Sequence, residues 1–133
     1  MSRELVIGLA LCILLGSGCG TRPVVGGTQG ALHARGVSLA DMQVVVYRSV
    51  AGGEFEPLGM AQTDLHGAFE LVTNAARGPL HLAPGEYRFT VESAGSPARI
   101  PASYSHPTST PLQRIWASSD HFLDLEANDI TLP

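Results

Sequence analysis

The sequence predicts an all-β fold, an antiparallel β-sandwich of about seven strands. Three observations carry that expectation. Fifteen Gly and nine Pro are spread through 133 residues, which favours many turns and short elements. Between the turns lie short runs in which apolar and polar residues alternate, the period of a strand with one buried face. Beyond residue 20 no stretch carries the 3.6-residue period of an amphipathic helix. Several short, evenly punctuated strands are the pattern of two packed sheets.

Taken in order, residues 20–27 read as a tether, and Thr28 to Ala34 as a first strand. Met42-Gln-Val-Val-Val-Tyr47 is a β-branched run between turn residues and gives the strongest strand signal. Phe55 to Thr63 reads as a weaker strand interrupted by Pro57 and Gly59. Thr63-Asp64-Leu65-His66-Gly67 reads as a turn. Asp64 can accept backbone N–H groups there, and Gly67 can take positive φ without steric cost. Ala68 to Val72 is the returning strand, and Leu80 to Leu82 a short strand candidate. Pro84-Gly85 is a tight turn. Glu86 to Glu92 then alternates most cleanly, with Tyr87, Phe89 and Val91 on one face. Residues 93–111 look irregular. Leu112 to Ala117 and His121 to Glu126 read as a final strand pair, followed by a frayed tail at 129–133. The domain assignment is a sandwich at 28–128 behind a leader at 1–18 and a tether at 19–27.

The leader is the segment most informative about location. A short charged start precedes eleven apolar residues, Leu5 to Leu15, and then Gly16-Ser17-Gly18-Cys19. Eleven helical residues span roughly 16 Å, about half of a bilayer's hydrocarbon core, so the run suits an export signal better than a membrane span. The small residues ahead of the cysteine resemble a bacterial lipobox. Ser17, Gly18 and Cys19 match it, whereas Gly16 stands where Leu is usual. The resemblance implies cleavage between Gly18 and Cys19 and lipidation of the Cys19 thiol. Each buried methylene contributes about 0.8 kcal/mol, and two or three acyl chains on one residue anchor a protein durably. Plain secretion and a retained anchor helix are the alternatives. Gly20, in place of the Asp that favours inner-membrane retention in enterobacterial lipoproteins, points to the outer membrane.

Cleavage after Gly18 leaves 115 of the 133 residues, enough for one domain. Cys12 departs with the leader, so the mature chain holds one cysteine and no internal disulfide. The formal charge is −4, and all eight basic residues are Arg, scattered singly. Neither a nucleic-acid partner, which needs a clustered basic face, nor a polybasic membrane patch is expected.

The order of turns resembles the carboxypeptidase-regulatory-like domains, which share the transthyretin-like sandwich. Their Thr-Asp-x-x-Gly-x-Phe is matched by Thr63, Asp64, Gly67 and Phe69. Their Pro-Gly-x-Tyr with alternating apolar residues is matched by Pro84, Gly85, Tyr87, Phe89 and Val91. The segments Ile100 to Tyr104, Thr110 to Leu112 and Phe122 to Leu125 are similar to small planctomycete-type lipoproteins that carry this domain alone. The resemblance implies a seven-stranded sandwich with no known catalytic residue.

No enzymatic constellation is legible. There is no Gly-x-Ser-x-Gly elbow, and the five histidines, His33, His66, His81, His106 and His121, form no HxH or HxxxH pair. A zinc site would need ligands from distant segments. Asp64 with Asp41, Glu54 or Glu56 offers calcium too few clustered carboxylates. No catalytic residue, metal or cofactor is therefore expected. Tyr47, Tyr104 and Trp116 are candidate contacts for a sugar face, with core packing as the alternative. The expected function is a lipid-anchored, non-enzymatic interaction or structural module of the cell envelope. A carbohydrate- or peptide-binding module is the second reading, and a cryptic enzyme or metal protein the third.

Overall fold

The computed structural model describes residues 25–133. Within them the chain is an all-β sandwich of two sheets, with no α-helix and three single turns of 3-10 helix. The strands are β1 (Gln29–Ala34), β2 (Val37–Ser38), β3 (Met42–Ser49), β4 (Phe55–Gln62), β5 (Ala68–Glu70), β6 (Val72–Thr73), β7 (Gly85–Ser93), β8 (Gln113–Trp116) and β9 (Leu123–Glu126).

One sheet is built around β1. It pairs antiparallel with β5 through Gln29 to Ala31 and with β2 through His33 and Ala34. Along its other edge it pairs parallel with β9, with Gly30 opposite Leu123 and His33 opposite Glu126. The second sheet runs β6-β4-β3-β7-β8, all antiparallel. Its centre is the Val-rich β3, which has partners on both edges.

Alternation sets the core. Leu32, Ala34, Phe69, Leu123 and Leu125 point inward from the first sheet. Met42, Val44, Val46, Ala61, Tyr87, Phe89 and Val91 answer from the second. Burying each of the larger side chains contributes about 1.5–3 kcal/mol. The Tyr87 hydroxyl also donates to the Ala83 carbonyl at 2.6 Å, tying the Pro84 bend to the start of β7.

Local rules explain the turns. Arg35 (φ 50°) and Gly36 (φ 78°) form the two-residue loop of the β1–β2 hairpin, the geometry that matches strand twist. Asp64 Oδ1 accepts the backbone N–H groups of His66 at 2.8 Å and Ala68 at 3.0 Å. Gly67 follows at φ 73°. A Cβ there would lie 2.6 Å from the Leu32 carbonyl oxygen.

Several elements differ from the sequence expectation. Residues 112–117 and 121–126 do not pair with each other: β8 joins β7 in one sheet, and β9 joins β1 in the other. Each pairs instead with a longer strand, β7 of nine residues or β1 of six, than the four-residue mate a hairpin would offer. The run from Ala68 to Val72 crosses between sheets, with β5 in one, β6 in the other and Leu71 fully buried at the crossing. Pro57 and Gly59 do not break β4. The strand continues past them because a bulge near Leu58 absorbs one extra residue against Val46 and Tyr47. Leu80 to Leu82 is extended without being a ladder strand. It is held by Thr28 N–H to Leu80 O at 2.9 Å and Leu82 N–H to Thr28 Oγ1 at 3.0 Å. The tail is not frayed: Ile130 is buried, and Thr131 exchanges two backbone hydrogen bonds with Arg99. β2 and β6, two residues each, raise the count from about seven to nine.

Candidate functional site

The densest group of chemically capable side chains lies on the outer face of the first sheet. Leu32 and Ala34 point into the core from β1, so His33 between them faces outward. Leu123 and Leu125 likewise turn Asp124 and Glu126 outward from β9. The parallel register sets Ala31 opposite Asp124 and His33 opposite Glu126. The small Ala31 side chain leaves the ring free to lean toward Asp124.

The contacts are close. His33 Nε2 lies 2.5 Å from Asp124 Oδ1, and His33 Nδ1 lies 3.7 Å from Glu126 Oε1. An ionised carboxylate only accepts, so Nε2–H is the donor to Asp124. Nδ1 is screened from solvent and has no hydrogen-bond partner among the described residues. The ring is 22% exposed, while the carboxylates are 52% and 58% exposed, so ring and carboxylates sit at the boundary with water. One ligand-type atom from each of the three residues falls within 4.8 Å of the others. Chemically, the arrangement is one imidazole with a free nitrogen beside two carboxylates, a set suited to a divalent cation.

Among the described residues, two of the clefts on the sandwich bring polar and aromatic side chains together. One, of about 460 Å³, is lined by Thr28, His81, Trp116, Asp120 and His121 among others. Asp120 is engaged there, because its Oδ2 accepts the Ala117 N–H at 2.7 Å. The other, of about 620 Å³, runs between the exposed side chains of Val25 and Phe122, over Phe69, beside Asp64 and Glu70. Glu70 is tied in place by Gly26 N–H and Gln29 Nε2, both at 3.2 Å.

The residues singled out from the sequence do not converge. Gly18 and Cys19 lie outside the described residues. Tyr104 is 1% exposed, so neither ring face is open to a sugar; it is a core side chain, and the contact role is corrected on that ground. Trp116 is 6% exposed and offers only a margin to the first cleft. Tyr47 is half-buried on β3. Asp64 and Gly67 stand in the turn already described. Pro84 forms a bend, but Gly85 is the first residue of β7, paired with Trp116, so the tight turn expected at Pro84-Gly85 is corrected to a bend that leads straight into the strand. Burial raises the Tyr104 phenol above its ordinary value. The charge of Asp129, with Oδ2 3.5 Å from the phenol oxygen, adds to the rise, and a backbone hydrogen bond opposes it.

Sequence reasoning missed His33, Asp124 and Glu126 as a group. Each alternates with core leucine or alanine, so its outward direction was legible. That β1 and β9 adjoin was not, since 91 residues separate His33 from Asp124.

No family model matches the chain, and neither a curated protein nor a solved structure proved similar to it.

Proposed function

We propose that this protein is a lipid-anchored, non-enzymatic β-sandwich of a bacterial cell envelope, acting as an interaction or structural module. The observation that carries the reading is the apolar run Leu5 to Leu15 ending in Gly16-Ser17-Gly18-Cys19. The order of the Thr63–Phe69 and Pro84–Val91 motifs, which resembles the carboxypeptidase-regulatory-like domains, supports a non-catalytic role. Residues 20–28 lie between Cys19 and the start of β1 at Gln29, so ten Cα-to-Cα steps join them. A fully extended chain spans at most about 3.5 Å per residue, so β1 begins within about 35 Å of the anchored sulfur. The sandwich therefore works close to the membrane surface, the outer membrane in this reading.

Mass spectrometry of the mature N-terminus tests the proposal. The expected product begins at Cys19 and carries the mass of acyl chains. Cys19→Ala is expected to shift the protein from the membrane to the soluble fraction. A mature chain with unmodified Cys19 would refute the anchor.

A second reading, a carbohydrate- or peptide-binding module, is favoured by the cleft that brings His81, Asp120, His121 and the Trp116 margin together. Binding on glycan and peptide arrays that is lost in Trp116→Leu, with the fold intact, would support it over a purely structural role.

A further inference from the structure

We propose that His33 and Glu126, with Asp124 holding the ring, form a binding site for a divalent transition-metal ion of the zinc class on the outer face of the first sheet. The Nε2–H donated to Asp124 leaves the lone pair on Nδ1. A carboxylate on the far ring nitrogen is how metal-binding imidazoles are oriented, and it raises the basicity of the ligating nitrogen. Nδ1 is then a shielded acceptor that no donor among the described residues satisfies.

Spacing distinguishes a metal site from a simple clamp. A ring donating from both nitrogens would draw Glu126 to about 2.7–2.9 Å of Nδ1. The observed separation is 3.7 Å, too wide for a hydrogen bond. Two ligands on a tetrahedral ion, each bound at about 2.1 Å, stand about 3.4 Å apart. The gap between Nδ1 and Glu126 is close to that spacing. The exposed Glu126 carboxylate can close the remainder by rotating. The two carboxylates also provide negative charge that a divalent ion offsets. Imidazole with carboxylate suits zinc-class ions over magnesium or calcium, which want oxygen ligands alone.

The site was inaccessible to sequence reasoning because no short spacing encodes it. It stands independently of the membrane anchor: removing the anchor leaves β1 and β9 as they are.

The test is titration of the purified full chain with Zn²⁺ by calorimetry, with Co²⁺ as a spectroscopic probe and Mg²⁺ as the control ion. One Zn²⁺ per chain is expected, and the Co²⁺ spectrum should lack the charge-transfer band of a cysteine thiolate. Glu126→Gln, an exposed substitution that leaves the core untouched, is expected to weaken Zn²⁺ binding at least 10-fold, and His33→Asn to abolish it. Asp124→Asn should weaken binding 10- to 100-fold through the ring it orients. His81→Asn and His121→Asn should bind as the parent does. No saturable Zn²⁺ binding, or binding unchanged in both His33→Asn and Glu126→Gln, would overturn the proposal. So would a Zn²⁺ affinity no greater than that for Mg²⁺.

Discussion

Gly67→Ala separates backbone strain from steric contact when it is set beside Gly36→Ala. The two glycines share a left-handed conformation, φ 73° and φ 78°. Their surroundings differ: a Cβ on Gly36 would meet nothing within 4 Å. A Cβ on Gly67 would lie 2.6 Å from Leu32 O and 3.2 Å from both Leu39 N and Ser38 Cβ. The left-handed conformation costs an L-residue about 1–2 kcal/mol, and that part is common to both variants. At Gly67 the crowded oxygen already accepts Leu39 N–H at 3.0 Å, and Leu32 N–H donates to Gly67 O at 2.9 Å. Moving apart strains these bonds, worth about 1 kcal/mol each. Gly36→Ala should therefore cost about 1–2 kcal/mol and Gly67→Ala about 2–4 kcal/mol. For a domain of this size, about 4 °C per kcal/mol gives drops in Tm of about 4–8 °C and 8–16 °C. Urea unfolding followed by the fluorescence of the single Trp, Trp116, measures both. A Gly67→Ala variant no less stable than Gly36→Ala would refute the close approach of the Asp64–Gly67 turn to β1.

Two further substitutions probe buried polar groups. Thr63 is 2% exposed, and its Oγ1 accepts the Met42 N–H at 2.9 Å. Thr63→Val keeps the shape and removes the acceptor, so a loss of about 1–3 kcal/mol in urea denaturation is expected; an unchanged midpoint would contradict it. The Tyr104 phenol is raised in the folded state, mainly by burial. Its contribution to stability is thus fully present below the ordinary tyrosine value, near 10, and is lost as pH rises through the higher folded value. Tyr104→Phe should be less sensitive to alkali than the parent between pH 9 and 11, read as Tm against pH. Parallel profiles would contradict the assignment.

The sandwich and its inward positions were legible because alternation is local. Tyr87, Phe89 and Val91, and likewise Phe69 and Leu71, occupy the core on the face that the period of two assigns them, whereas the β-branched run of β3 did not reveal that Val44 and Val46 face inward and Val45 does not. The break of the Ala68–Val72 run into β5 and β6 was not legible. Each half satisfies its backbone on a different sheet, a choice made by where those sheets stand. Tyr104 and Trp116 illustrate the same limit. An aromatic side chain suits a binding surface or a core equally, and only the packing around it decides.

By itself, then, the chain's order of residues determined the all-β class, the inward face of its most regularly alternating strand, the Asp64–Gly67 turn, and an apolar run, Leu5 to Leu15, followed by Gly16-Ser17-Gly18-Cys19. Tertiary structure alone decided that β9 lies parallel to β1 and away from β8. The physical reason is that a strand's face is set by its own period of two, while its neighbour is set by competition among distant edges for buried area and hydrogen bonds. That competition brought His33 to Asp124 and Glu126.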